Sequence, residues 1–315
     1  MAVRVIFFGN SLSTFSARHF AALLDVPGEL VGVVDVPATK QNTTNPLAAA
    51  GLLNFVDEAR KRNIPAYQPS DPNTSSFASE LAKLEADLFL AAGYAIILKE
   101  VILELPKLLA VNFHASLLHA YRGKHPVFWA LRSGEKLSGM TVHAMDPGID
   151  TGDIIYQVRI RTRQDDTVAT MYKRIMDQSM DFVRKLIADA EHNRIPRQPQ
   201  PKNTGSYFSS TTEDDFQLDW TWSAEKIKLF ITITPGKCFA IVGVGKVYFF
   251  NAQKEVGVTT YSPGTLHNIR KTRATVATGS GVLSSSLIQI EGGEPESFAG
   301  FCRREGFHHG DSLTG

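Results

Sequence analysis

Two rhythms of hydrophobic and polar positions alternate through the first half of the chain. One consists of short apolar runs bounded by turn residues: Val3–Phe8 stopping at Gly9-Asn10, Glu29–Val34, Ala86–Ala92 stopping at Gly93, and Ala110–His114. The other has helical spacing: Thr14–Leu24 with Ser13 as its cap, Ala50–Arg62 carrying Leu52, Leu53, Phe55, Val56 and Ala59, Ser75–Leu84, and Lys99–Glu104. Apolar runs of this length suit strands buried on both faces. Their alternation with helices predicts an α/β fold with a doubly wound, mostly parallel sheet. Ligands of such sheets bind outside the carboxyl ends of the strands. Asn112 and His114 fall at one of those ends.

Further along, the pattern predicts a helix over Pro126–Arg132, strands over Met140–Met145 and Ile154–Ile160, and one long helix over Thr167–Glu191. Asp165 and Asp166 precede that helix, where negative charge suits an N-terminus. Ile195–Ser206 then mixes Pro196, Pro199 and Pro201 with Arg, Gln, Lys and Asn, a linker composition. Short strands follow: Phe230–Thr234 and Cys238–Val242 around Pro235-Gly236, Lys246–Asn251, a strand after the Pro263-Gly264 turn, Ala274–Thr278 and Val282–Ile290. This spacing predicts a small β-barrel or sandwich. The expected organisation is a catalytic domain over 1–194, a linker over 195–209 and a β-barrel-like domain over 210–315, with a polar tail that frays from His308.

Composition changes this picture little. The 315 residues are 43% hydrophobic and 21% charged, as expected of a two-domain globular protein. A formal net charge of +1 provides no global basic field, so a nucleic-acid partner needs a local patch. No apolar run reaches the roughly 18–20 residues of a membrane span. Gly93 interrupts Leu88–Leu98, and Gly243, Gly245 and Lys246 interrupt Phe239–Phe250. The apolar N-terminal run reads as a strand rather than a signal peptide, so a cytoplasmic protein without a membrane partner is expected. Cys238 and Cys302 lack CxxC spacing and read as buried thiols, not as a disulfide or metal ligands.

The densest chemistry comes in three pieces: Asn112-Phe113-His114-Ala115-Ser116-Leu117-Leu118, Tyr121-Arg122-Gly123, and Asp146-Pro147-Gly148-Ile149-Asp150-Thr151-Gly152-Asp153. A period-2 strand puts Asn112 and His114 on one face. An imidazole moves protons near neutrality, a carboxylate orients it, and an amide donates to a developing oxyanion. Blander readings exist for each: a structural His on a strand, and a simple turn at Asp150–Gly152. Ser116 lacks a nucleophile elbow and reads as a local hydrogen-bonding residue. Asp146 or Asp153 is expected to orient the loop. His119, His125 and His143 lack metal-ligand spacing, so no metal site is expected. Gly9-Asn10-Ser11 lacks the glycines of a dinucleotide fingerprint. Arg159, Arg161 and Arg163 read as a solvated face, with phosphate contact as the alternative.

Taken in order, these pieces resemble the folate-dependent formyltransferases, most of all their methionyl-tRNA branch. Asn112-x-His114-x-Ser116-Leu117-Leu118, Arg122-Gly123 and Asp150-Thr151-Gly152 carry the resemblance; His119 departs from it, standing where the tRNA enzymes usually have Pro. Val5–Gly9 with Phe15, Ala17 and Arg18, Asp219-Trp220 through Ile227, Thr234-Pro235-Gly236, Pro263-Gly264-Thr265 and Ala277-Thr278-Gly279 extend it over nearly the whole chain. The resemblance implies Asn112, His114 and Asp150 as catalytic residues and 10-formyltetrahydrofolate as donor. It places the pteridine near Leu90, Ala92, Gly93, Tyr94, Asp146 and Gly148, held largely by backbone groups. It further implies that Asn112 and a protonated His114 stabilise the oxyanion, that Asp150 holds His114, and that no metal takes part.

The acceptor is an amine, of tRNA or of a small molecule. Asp35–Pro46 offers one Lys and several amides where the tRNA enzymes carry a basic cluster, and phosphate contacts dominate nucleic-acid affinity. His125-Pro126 and Trp129 look more like sugar-nucleotide formyltransferases. Lys226, Lys228, Lys237, Arg270, Lys271 and Arg273 point back towards a basic face on the second domain. Three readings stand: an amine formyltransferase acting on methionyl-tRNA or an amino-sugar nucleotide, a hydrolase of the formyl donor, and a catalytically silent folate-binding module. The sequence does not specify an oligomeric state.

Overall fold

The computed structural model describes residues 2–37, 54–202, 204–257 and 260–314. The chain forms two compact units. The first comprises Met1–Val127, Leu137–Arg161 and Ala169–Ser209; the second comprises Phe128–Lys136, Thr162–Val168 and Ser210–Gly315. In chain order the first half contains β1 (Arg4–Gly9), α1 (Thr14–Leu24), β2 (Glu29–Asp35), α2 (Phe55–Lys61), β3 (Ala66–Tyr67), α3 (Ser75–Ala82), β4 (Leu88–Ala92), α4 (Glu100–Leu103) and β5 (Leu109–His114). Then come β6 (Arg122–Gly123), α5 (Pro126–Arg132), β7 (Leu137–Ala144), β8 (Ile154–Arg161), α6 (Val168–Ser179), α7 (Asp181–Glu191) and β9 (Tyr207–Phe208).

The first unit is built on a seven-stranded sheet of order β3-β2-β1-β4-β5-β7-β8. The strands from β3 to β5 run parallel, and β7 and β8 add antiparallel pairs at one edge. The expected doubly wound, mostly parallel sheet is therefore present. Strand β1 is apolar because both its faces are covered. Phe7 packs against Phe20 and Phe55, while Phe8 packs against Phe89 and Tyr94. Helix α1 starts where Ser13 Oγ accepts from Ser16 N–H. The strand order reverses between β1 and β4, which opens a crevice at their carboxyl ends.

Several local expectations change. The short strand β3 was not anticipated. Helix α2 starts at Asn54, whose side chain caps it, and Ala50–Leu53 lie outside the described residues. The long helix breaks into α6 and α7 at Met180. Ser179 Oγ donates back to the Ile175 carbonyl at 2.8 Å, a competing bond of the kind that bends helices. The linker-like segment is tied to the first unit. Gln198 exchanges backbone hydrogen bonds with Ile154 at 2.8 and 2.9 Å, and β9 pairs in parallel with β6.

The second unit contains α8 (Ala224–Ile233), β10 (Phe239–Val242), β11 (Gly245–Phe250), β12 (Gln253–Glu255), β13 (Leu266–Ile269), β14 (Ala274–Ala277), β15 (Val282–Ser285), β16 (Leu287–Ile290), β17 (Glu296–Ser297) and α9 (Phe298–Arg304). Its strands form two antiparallel four-stranded sheets, β10-β11-β16-β17 and β12-β15-β14-β13. The chain changes sheet at Ser286, so the single run Val282–Ile290 is two strands. The predicted strand Phe230–Thr234 is largely helix. Its β-branched residues mimic a strand, but Ser223 caps α8, and Ala224, Ile227, Phe230 and Ile231 bury one helical face. The tail does not fray. Leu313 is buried, and backbone bonds join Leu266 to Asp311 and Leu313 to Gly264. Cys238 and Cys302 are buried free thiols, and burial pushes both up to about 12. Among the described residues no helix is long and apolar enough to cross a membrane.

Candidate active site

Strands β5 and β7 set the site's register. Asn112 lies opposite His143, and His114 lies opposite Thr141. The three residues singled out in the sequence converge. His114 Nδ1 is 3.5 Å from Asp150 Oδ2, and Asn112 Nδ2 is 3.3 Å from Asp150 Oδ1. Gly123 N–H donates to Asp150 Oδ2 at 2.8 Å, which brings the Arg-Gly piece to the same carboxylate. Asp150 has φ +54, in the left-handed region that only a few non-glycine residues tolerate. Two residues on, a Cβ at Gly152 would sit 2.1 Å from the Ala144 carbonyl, so the loop closes onto β7 only with glycine there.

The electrostatics define a proton acceptor. Burial lowers the His114 pKa; the Asp150 carboxylate and the Tyr121 carbonyl pull it up but do not prevail. Burial thus favours the uncharged form of the resting ring. His114 Nε2 lies 2.8 Å from the Tyr121 carbonyl, which can only accept, so Nε2 carries the hydrogen. Nδ1 then holds the lone pair and faces Asp150. Burial alone would raise the Asp150 carboxyl. The charge His114 carries when protonated, the His143 ring and the Gly123 N–H outweigh it and hold Asp150 well below the usual carboxylate range. A base next to a fixed anion can take a proton and keep the resulting imidazolium stabilised.

The residues expected to line the donor pocket divide. Leu90 and Ala92 are fully buried inside the sheet. Gly93 and Tyr94 follow at the strand's carboxyl end, beyond the pairing of Ala91 with Asn112. The Tyr94 hydroxyl is buried with no hydrogen-bond partner among the described residues. Gly148 and Asp146 lie in the exposed loop, where Asp146 Oδ1 accepts from Gly148 N–H at 3.2 Å and from Thr151 Oγ at 2.7 Å. Asp146 is thus the loop-orienting aspartate, while Asp153 pairs with Arg197. Ser116 Oγ donates to the Ala120 carbonyl, a local bond as expected. The basic-loop comparison at Lys40–Asn45 lies outside the described residues.

Three residues escaped the sequence reading. His143 was weighed only as a metal ligand. Its Nε2 lies 3.2 Å from both Asp150 Oδ1 and Asn112 Nδ2, and its Nδ1 bonds the Ala144 carbonyl. Placing Met140–Met145 beside Asn112–His114 in an antiparallel pair would have found it. Thr141 Oγ donates to the Ser116 carbonyl and accepts from Leu118 N–H, holding the chain after His114. Gln200 sat inside an apparent linker, and no local pattern marked it. Among the described residues no group of three or more His, Cys, Asp or Glu is placed to hold a metal ion.

Comparison with known proteins follows the same lines. Residues 3–187 match the family described as Formyl transferase, and residues 211–306 match Formyl transferase, C-terminal domain. The chain is 31% identical over 318 residues to the methionyl-tRNA formyltransferase of Pseudomonas entomophila, covering 99% of each protein. Among solved structures it resembles the N-formyltransferase from Helicobacter canadensis, crystallised with folinic acid and dTDP-3-aminofucose. That match has a TM-score of 0.66 and 18% identity, and covers 91% of this chain and 99% of that one. HypX from Aquifex aeolicus matches with a TM-score of 0.61 and 17% identity over 98% of this chain; the chain spans about half of HypX, 49%.

Proposed function

The chain belongs to the formyl transferase family, and on that premise we propose that it moves a formyl group from 10-formyltetrahydrofolate to an amine at Asn112, His114 and Asp150. The observation that carries this reading is the convergence of a buried imidazole, a carboxylate and an amide donor at one strand end. The acceptor amine attacks the formyl carbon and a new C–N bond forms. His114 Nδ1 takes the proton lost by that amine, and Asp150 and the Tyr121 carbonyl bracket the imidazolium. Asn112 Nδ2 makes two long contacts, 3.2 and 3.3 Å, so turning one N–H towards the oxyanion costs little. The old C–N bond then breaks, and His114 returns the proton to the departing nitrogen. The orphaned Tyr94 hydroxyl beside Gly93 fits a donor with polar edges.

We favour methionyl-tRNA as acceptor. A relative of that name matches the chain from end to end, including the C-terminal domain. The second unit also gathers cations. Arg303 donates to the backbone carbonyls of Arg270 and Lys271, bringing three basic residues together that form no ion pair among the described residues. An amino-sugar nucleotide is the second reading, favoured by His125-Pro126 and Trp129. The experiment incubates the protein with 10-formyltetrahydrofolate and methionyl-tRNA, an amino-sugar nucleotide or buffer alone. Formylated methionyl-tRNA, at a rate that falls steeply with salt, is the expected result. Formate release without acceptor would identify a donor hydrolase instead, and no turnover in any arm would leave a folate-binding module.

A further inference from the structure

We propose that Gln200 is a positioning residue for the reaction, through its grip on the Asp150 loop. This rests on the reading of Asp150 as part of the catalytic group. Gln200 is only 9% exposed, and its carboxamide is saturated. Nε2 donates one hydrogen to the Asp150 carbonyl at 2.9 Å and the other to the Gly152 carbonyl at 2.7 Å. Oε1 accepts from Arg122 Nη2 at 2.7 Å and from Nε at 3.3 Å. One side chain therefore joins the loop carrying Asp150, the strand whose Gly123 N–H binds the Asp150 carboxylate, and the segment from Gln198 to Phe208.

The Asp150 backbone gives that grip its purpose. A non-glycine residue at φ +54 stays there only when its surroundings over-determine it. Gly123 holds the carboxylate, and Gln200 holds the carbonyls on both sides of Thr151. With the Gln200 bonds gone, the peptide after Asp150 is free to turn, and the carboxylate drifts from His114 Nδ1. A displacement of about 1 Å from productive geometry costs roughly 100-fold in rate. The drift also removes the charge that raises the His114 pKa, so the acid limb of the pH–rate profile moves to lower pH. A purely structural side chain leaves that limb in place.

Two variants separate the contacts. Gln200→Ala removes all of them. Gln200→Glu keeps the partner of Arg122 and presents one carboxylate oxygen to the two carbonyls in place of the N–H donors, and its melting temperature shows that it is folded. Asp150→Asn is the control for the underlying reading. Each is assayed for transfer from 10-formyltetrahydrofolate to the acceptor identified above, with kcat, donor KM, pH profile and melting temperature. Gln200→Glu is expected to lose about 10- to 100-fold in kcat with donor KM within about threefold. Its acid limb should shift downwards relative to the parent. A parent-like kcat and acid limb in folded Gln200→Glu, with Asp150→Asn inactive, overturns the role of Gln200 alone. A fully active Asp150→Asn overturns the reading on which it rests.

Discussion

At the scale of single residues, the partners around a buried ring, not burial itself, decide what a histidine can do with a proton. His114 and His19 are both buried and both pushed down, but their surroundings differ. His114 has a carboxylate beside Nδ1, so a proton taken up there is stabilised. Among the described residues His19 has the Phe15 carbonyl on Nδ1, aromatic rings of Phe15 and Phe113 around it, and no partner for Nε2. Its pKa falls to about 4, against 6.5 in the unfolded chain. Between those values the unfolded state binds more protons, so stability declines as the pH drops below 6.5 and the loss is complete near 4. The expected loss is roughly 3 kcal/mol. Urea unfolding at pH 7.5 and 4.5 checks this in the parent and in His19→Phe. The variant should show a flatter dependence by about that amount; identical dependences would contradict it.

At the scale of elements, the sequence was legible where one signal dominated. Strands β1, β2, β4 and β5 fall on the expected apolar runs, and Pro126–Arg132 is helix as expected. The reading failed where two signals competed. Ile231-Thr232-Ile233 reads as strand by residue type, yet the Ser223 cap and the buried face of α8 make it helix. Ser179 breaks a continuous amphipathic pattern through a bond that periodicity does not reveal. Asn112, His114 and Asp150, which the structure brings together, stood out in the sequence because their types and order suit chemistry. His143 and Gln200 were hidden because their roles arise from cross-strand register and from a segment whose composition resembles a linker. The tail gives a direct check. Removing the residues after Phe307 strips buried Leu313 and its backbone bonds from the second unit, and should cost roughly 2–3 kcal/mol by thermal unfolding. A tail that merely frays would cost nothing.

At the scale of the whole molecule, the division of labour follows from the two units taken separately. The first carries the parallel sheet and every residue assigned to formyl transfer. The second is an antiparallel β unit with an exposed basic group at Arg270, Lys271 and Arg303. With a net charge of +1, attraction to nucleic acid needs a local patch, so for a tRNA acceptor salt should weaken transfer far more than donor binding. The proposed reaction depends on His114 as the group that moves the proton. The most direct test is the single-turnover rate of formyl transfer from saturating 10-formyltetrahydrofolate in His114→Ala beside the parent, at pH 7.5. Loss of a general base predicts a fall of roughly 100- to 10,000-fold with donor binding retained. A parent-like rate in the folded variant would contradict the account.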